Sequence, residues 1–434
     1  MKKKVVTCIM LASLATGGVI PLHVLTNPVV QAESIETLDL SSSLRKLGAL
    51  SALIQMSIDQ SLKRPDVTVI EIPALSSSQQ NVKRDMTEWE NELHPKEMQL
   101  YARSKAFVYK FDSYYPQLKD FVDNEKTDSQ EFLDRLATLQ TTVASNQSKI
   151  QSHIKELEKF KVNVSKSVEK IDANVQAGKT LFGESKKMDE LKTTITDARA
   201  AIDKDLEQIA LVPGALNEAG LKLFKEIYTT IKEIIDPVVD SAMEAINKGK
   251  EIEKSILQAE ADAETKAKED GKTDSEIAEL KKEAREKIEK DKKADIAAAA
   301  AAKMQDYDLI KKIDLDRIEK MYKEFGQMNT LTVEQQRALN DLSLQNQKIY
   351  DGTKNLTVAE AQQTKMLLMQ NDVHDFAENI EKELVSLNTY KEDWSQIGDS
   401  IQQLSDATTD KTVKLKRVKE LCKQLKQQID QLNS

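Results

Sequence analysis

The chain reads as an all-α protein, an elongated five-helix bundle with an inserted, mainly helical head domain. Three observations carry that expectation. Among 434 residues there are only 12 glycines and 8 prolines, the two residues that interrupt helices. Apolar side chains recur at three- and four-residue spacing over long stretches, the signature of amphipathic helix. One of those rows repeats every seven residues without a miss from Leu136 to Ile171, which is the seam of long helices packed side by side.

The first 32 residues have the pattern of a secretory signal peptide. Lys2, Lys3 and Lys4 precede an apolar run from Val5 to Leu25, and Ala32 offers a small residue for cleavage before Glu33. Gly17, Gly18, Pro21 and His23 break the run, which argues against a retained anchor. The expected product, residues 33–434, is secreted. The whole chain carries a net charge of −9, and loss of the three lysines takes the product to −12. That charge, with no basic patch among aromatics, excludes nucleic acid as a partner. Cys422 is then the one remaining cysteine, so no intrachain disulfide can form. Its place beside Leu421, on the row Val418, Leu425 and Ile429, suits a small buried hydrophobe.

The first helix starts after the serines at 41–43 and carries Leu44, Leu47, Leu50, Ile54, Ile58 and Leu62 until Pro65 stops it. "PDVTVIEIPAL" is too β-branched and proline-bounded for helix and predicts an extended connection. A second helix from Ser76 bears Val82, Met86, Trp89 and Leu93, kinks near Pro95, and continues through Phe107, Phe111 and Tyr114 to about Asn124. A third runs from Ser129 to about Gly178, roughly 75 Å at 1.5 Å per residue. Beside the Leu136 to Ile171 row it carries Phe132, Leu139, Asn146, His153 and Phe160, and Val168 and Val175 suggest a slip in phase. Met188 to Ile209 extends the pattern to Pro213. Return stripes follow at Ile310 to Phe325, Leu331 to Ile349 and Val373 to Leu404, and a last helix at 411–432. Residues 33–205 and 305–434 thus make the bundle, and 206–304 the head.

The head opens on "GLKLFKEIYTTIKEIIDPVVDSAMEAI", residues 220–246, which holds eight charges. At about 2.5–3.5 kcal/mol each near a bilayer centre, these cost on the order of 20 kcal/mol, and a dozen aliphatics recover less than half of that. A lone transmembrane span is excluded. Yet Leu221, Phe224, Tyr228, Ile231, Ile235 and Val238 form one stripe opposite the charges, the candidate surface for membrane or partner. Such a helix can pack on its own bundle, lie at an interface, or enter a membrane with its polar face on water. Of the next 50 residues, 247–296, 28 are charged. Gly271 and a capping box from Thr273 to Glu276 predict a solvated helical hairpin there, with Ile277, Leu280, Ala284 and Ile288 as a narrow seam. The competing expectation is a disordered charged linker.

No motif points to catalysis, cofactor or metal. His94, His153 and His374 are far apart and none has the spacing of a helical zinc site. No phosphate-cradling glycine loop or Gly-x-Ser-x-Gly elbow occurs. His153, on a heptad row, suits a partly buried structural histidine.

Two stretches carry a family resemblance. "LSSSLRKLGALSALIQMSIDQSLKRPDVTV", "PALSSSQQNVKRDMTEWENELHPK" and "FDSYYPQL" succeed one another in the N-terminal third, and "IEKELVSLNTYKEDWSQIGDSIQQL" follows late, with its tryptophan at Trp394. Together they resemble the helical haemolysin BL and non-haemolytic enterotoxin family, over residues 35 to about 210 and 365–434. The resemblance implies a subunit of a cytolysin A-like α-pore-forming toxin, secreted in soluble form and assembling with homologous subunits on target cell membranes. Members that insert a hairpin carry a long uncharged Gly/Ala/Val/Ile tract in the head, where this chain is highly charged. A secreted, non-lytic structural or adhesive helical protein is the alternative.

Overall fold

The computed structural model describes residues 40–64, 66–67, 69, 71–183, 186–233, 236–292, 315–328, 331–353 and 358–433. The expected signal peptide lies outside these residues, as does Ile310 at the start of the first return stripe. The described chain is all-α, without a strand. Its helices are α1 (Ser43–Lys63), α2 (Ala74–Glu88), α3 (His94–Asp123), α4 (Gln130–Phe182), α5 (Lys186–Ala210) and α6 (Glu218–Glu233). They continue as α7 (Asp236–Glu269), α8 (Asp274–Asp291), α9 (Leu315–Met328), α10 (Val333–Thr353), α11 (Val358–Ser405) and α12 (Lys411–Asn433).

The seven-residue row explains α4. Leu136, Val143, Ile150, Leu157, Val164 and Ile171 are all buried, and the companion row Phe132, Leu139, Asn146, His153 and Phe160 is buried beside it. Two adjacent rows make a broad seam, and α11 fills it along most of its length. Ser129 starts α4 by accepting the Phe132 amide on its hydroxyl, 3.3 Å away. Around this pair pack α1, α2, α3 and α12. Trp394 of α11 is sealed against the edge of Phe107 on α3, ring centroids 4.9 Å apart. Cys422 is buried on α12, and its thiol is pushed well up by burial.

The second rod departs from a simple proline kink. Residues Trp89–Leu93 form one π-helical turn between α2 and α3, with the His94 amide donating to the Trp89 carbonyl. Pro95 follows directly on that turn as the second residue of α3, and having no amide proton it cannot donate back into the turn. Within the extended connection, Gln79 brackets Val67 like a neighbouring strand. Its Oε1 accepts the Val67 amide at 2.7 Å and its Nε2 donates to the Val67 carbonyl at 2.8 Å.

A further apolar core lies beside the bundle. It joins Ala49, Leu53 and Met56 of α1 to the Met188–Ala210 face of α5, to α6, α9 and α10, and to Leu367 and Leu368 of α11. Asp372 ties these layers together by pairing with Arg64 at the end of α1 and with the buried Arg199 of α5.

The charged segment folds as a helical hairpin. The predicted capping box is present, the Thr273 amide donating to Glu276 Oε2 at 2.9 Å and the Glu276 amide to Thr273 Oγ1 at 3.4 Å. Gly271 takes φ +67°, the left-handed region its turn requires. The seam is narrower than the sequence suggests. Ile256, Ala267 and Ile277 are buried, Ala284 and Ile288 are half-buried, and Leu280 is exposed. Ion pairs across the hairpin, Glu264 with Lys281 and Glu260 with Arg285, do the rest of the joining.

Candidate functional site: the seat of helix α6

Helix α6 is positioned by a tight connection from α5. Pro213 and Gly214 turn the chain, Gly214 at φ +81°. Asn217 then caps α6 with its side-chain oxygen on the Gly220 amide, 2.7 Å away. A β-carbon on Gly220 would stand 2.0 Å from the Gly214 carbonyl oxygen. Only glycine allows that approach, so the two glycines fix the angle at which α6 leaves.

That angle lays α6 into the side core. Leu223, Phe224, Ile227 and Tyr228 are buried there with α1, α5, Met321 and Phe325 of α9, and Leu339 and Leu342 of α10. At about 1.5–3 kcal/mol for each large apolar side chain, the four contribute on the order of 6–12 kcal/mol. One rim ion pair, Lys225 with Asp59 of α1, and a long hydrogen bond from Gln60 to the Thr229 carbonyl complete the seat. The exposed pair adds little.

The candidate stripe is therefore divided. Phe224 and Tyr228 are buried against the chain's own core, while Leu221 is 37% exposed. Ile235 and the side chains of Ile231 and Val238 lie outside the described residues. Leu223 and Ile227 share the buried face and were missed. A three-and-four count starting two residues later than Leu221 would have found them. Leu221 and Leu216 line a surface groove whose other wall is Leu44, Leu47 and Ser51 of α1 with His94 and Glu97 of α3.

On the α5–α10 face, Lys204, Asp205, Glu334, Arg337 and Asp341 line a polar groove. Partial burial and the neighbouring Asp341 raise the Asp205 carboxyl to about 6. Among the described residues no group of three or more His, Cys, Asp or Glu side chains is placed to hold a metal ion. Nor is any described helix long and apolar enough to cross a membrane.

Residues 34–205 match the sequence model of the Bacillus haemolytic enterotoxin (HBL) family. No curated protein matches the chain. Among solved structures, soluble AhlB of the tripartite α-pore-forming toxin AHL from Aeromonas hydrophila is similar, at 10% identity over 91% of this chain and 92% of that one, TM-score 0.44. Soluble SmhB of the tripartite toxin Smh from Serratia marcescens is similar at 11% identity, over 92% and 93%, TM-score 0.37. The Bacillus cereus HblL1 toxin component is similar at 13% identity, over 91% and 96%, TM-score 0.33.

Proposed function

We propose that the chain is a secreted subunit of a multi-component α-pore-forming toxin that works with homologous subunits on target cell membranes. The match of residues 34–205 to the haemolytic enterotoxin family supports this reading. Within that family the quoted N-terminal pieces most resemble component A of the non-haemolytic enterotoxin. No catalytic step is needed for such a role. Residues 206–304 act as the head, and α6 is its amphipathic element, stored in the side core until assembly. On release, Leu221, Phe224, Tyr228 and Ile231 of α6, with Ile235 and Val238 beyond its end, face lipid or a partner subunit, and the charges of the opposite face line water. A helix of 16 residues is about 24 Å long, short of a 30 Å hydrocarbon core. The greasy anchor of the pore comes from a partner.

The test has two arms. Purified chain alone leaves dye-loaded liposomes intact, and adding homologous subunits with uncharged head tracts causes release. Asp59→Cys with Lys225→Cys, bridged by a reducible bismaleimide, pins α6 to α1. The bridged protein is inactive in the mixture and regains activity on reduction. Efficient release by the chain alone overturns the accessory role, and undiminished activity of the bridged form overturns the release of α6.

A further inference from the structure

Behind the groove lined by Leu221 lies a sealed layer of ionisable side chains. Glu97 of α3 is 2% exposed, Glu383 of α11 is 0% exposed and His153 of α4 is 2% exposed. Glu383 accepts the Trp89 indole N–H at 3.0 Å on one oxygen, and its other oxygen lies 3.8 Å from His153 Nε2. His94, at the groove edge, stacks on Trp89 and meets Ser51 Oγ of α1 at 2.8 Å from its Nδ1. Its Nδ1 is 3.9 Å from Glu97 Oε2. The one hydroxyl that approaches the Glu97 carboxyl is Ser51, which is already engaged with His94, and neither Glu97 oxygen has a hydrogen bond of normal geometry. Beyond these, Glu90 approaches from the π turn, and Glu156 of α4 points outward to Lys96. Ser51 is what α1 contributes, and α12 brings only the apolar Leu432 to the groove. Among the described residues no lysine or arginine pairs with either acid; the ion-pair partners are His94 for Glu97 and His153 for Glu383.

We propose that this layer is a proton lock: Glu97 must carry a proton for α3 to seat against α1 and α4, and losing it loosens the groove on which the start of α6 rests. Two carboxylates in one dry layer cannot both be charged without a large cost. Burial first, and then the charge of Glu383, push the Glu97 carboxyl well above the ordinary carboxylate range, against smaller opposing pulls from His153 and the Ser51 hydroxyl. A folded-state value above the unfolded one means the closed form holds a proton that the open form releases. The stabilisation is complete below the unfolded value and is lost as pH rises through the folded one. His94 does not counter this above neutrality. Burial lowers its pKa, so its imidazole is neutral there in both forms. Rising pH therefore opens the seat, by up to tenfold in the open population per pH unit. The lock deepens the release of α6 proposed above, yet its test involves neither membrane nor partner, so the two readings fail separately.

The experiment is hydrogen exchange of the full chain from pH 6.5 to 9.5, corrected for intrinsic rates. Peptides over 94–101 and 218–228 should lose up to tenfold protection per pH unit until Glu97 ionises in the closed form and level off above that pH, while 130–145 of α4 keeps its own. Glu97→Gln, which mimics the protonated acid, should flatten the slope, and His94→Gln should leave it. Glu383→Gln should move the upper end of the pH-dependent range to lower pH, because removing the neighbouring charge lets Glu97 ionise more readily in the closed form. Should Glu97→Gln fail to fold, the wild-type slope and its shift in Glu383→Gln decide the matter. Wild-type protection independent of pH overturns the lock, as does an unchanged slope in Glu97→Gln or an unshifted upper end of the range in Glu383→Gln.

Discussion

His153 on α4 faces Glu383 on α11 across 3.8 Å in the sealed centre of the bundle, and the same carboxylate holds the Trp89 indole. Removing a buried carboxyl group with two partners is costly, because both partners are stranded when it goes. Glu383→Ala should destabilise the fold by about 3–5 kcal/mol in urea titrations. Glu383→Met with His153→Leu should recover most of that loss, since packed apolar groups of similar volume replace both ends. A double variant no better than the single would show that the pair is not energetically coupled.

The heptad row makes a graded prediction. Ile150 is 1% exposed in the middle of the α4–α11 seam, whereas Val162 on the same helix is 54% exposed. Ile150→Ala should cost about 2–5 kcal/mol and Val162→Ala less than about 0.5 kcal/mol. Equal effects on the unfolding midpoint would mean the seam is elsewhere.

Asp205 gives a pH signature of its own. Its carboxyl sits at about 6 beside Asp341, above its ordinary value, so the α5–α10 contact holds best in acid and weakens as pH rises through 6. Asp205→Asn removes that dependence. Because the site is partly open to solvent, the gain at pH 8 is on the order of 1 kcal/mol after screening. Thermal unfolding of both proteins at pH 5 and pH 8 checks it, with the two curves converging at the lower pH.

At the turn into α6, Gly220→Ala forces a β-carbon onto the Gly214 carbonyl oxygen. The connection must shift, and α6 should lose protection from proteolysis while α4 does not. A variant as resistant as wild type at residues 211–228 would show that the turn has room after all.

The long rods were legible because their periodicity is local: six positions of α4 announce its length and its inward face. The capping box at Thr273 and the buried Cys422 were legible for the same reason. The side core was not. Leu223 and Ile227 alternate with the expected stripe, and what buries them is α9 and α10, a hundred residues away. Glu97 and Glu383 read as ordinary surface acids on long helices, since no local pattern distinguishes a sealed carboxylate from a solvated one. The π turn was hidden for a subtler reason. Buried positions run from Leu75 through Trp89 and Leu93 to Phe111 at an unbroken helical count, so no skipped beat marks the extra residue.

That extra residue gives the second rod slack. A π turn takes up one more residue than the span it covers in an ordinary helix, so between Trp89 and Leu93 the chain is one residue longer than the distance it bridges. Removing an exposed residue there, Asn91 for example, would take out the extra residue with α3 still facing the same neighbours, and Pro95 would keep one missing hydrogen bond at the join. The same removal inside α4 would swing everything beyond it by about 100°. Of the two rods, one can absorb a change in length at a known place, and the other must keep its residue count from end to end.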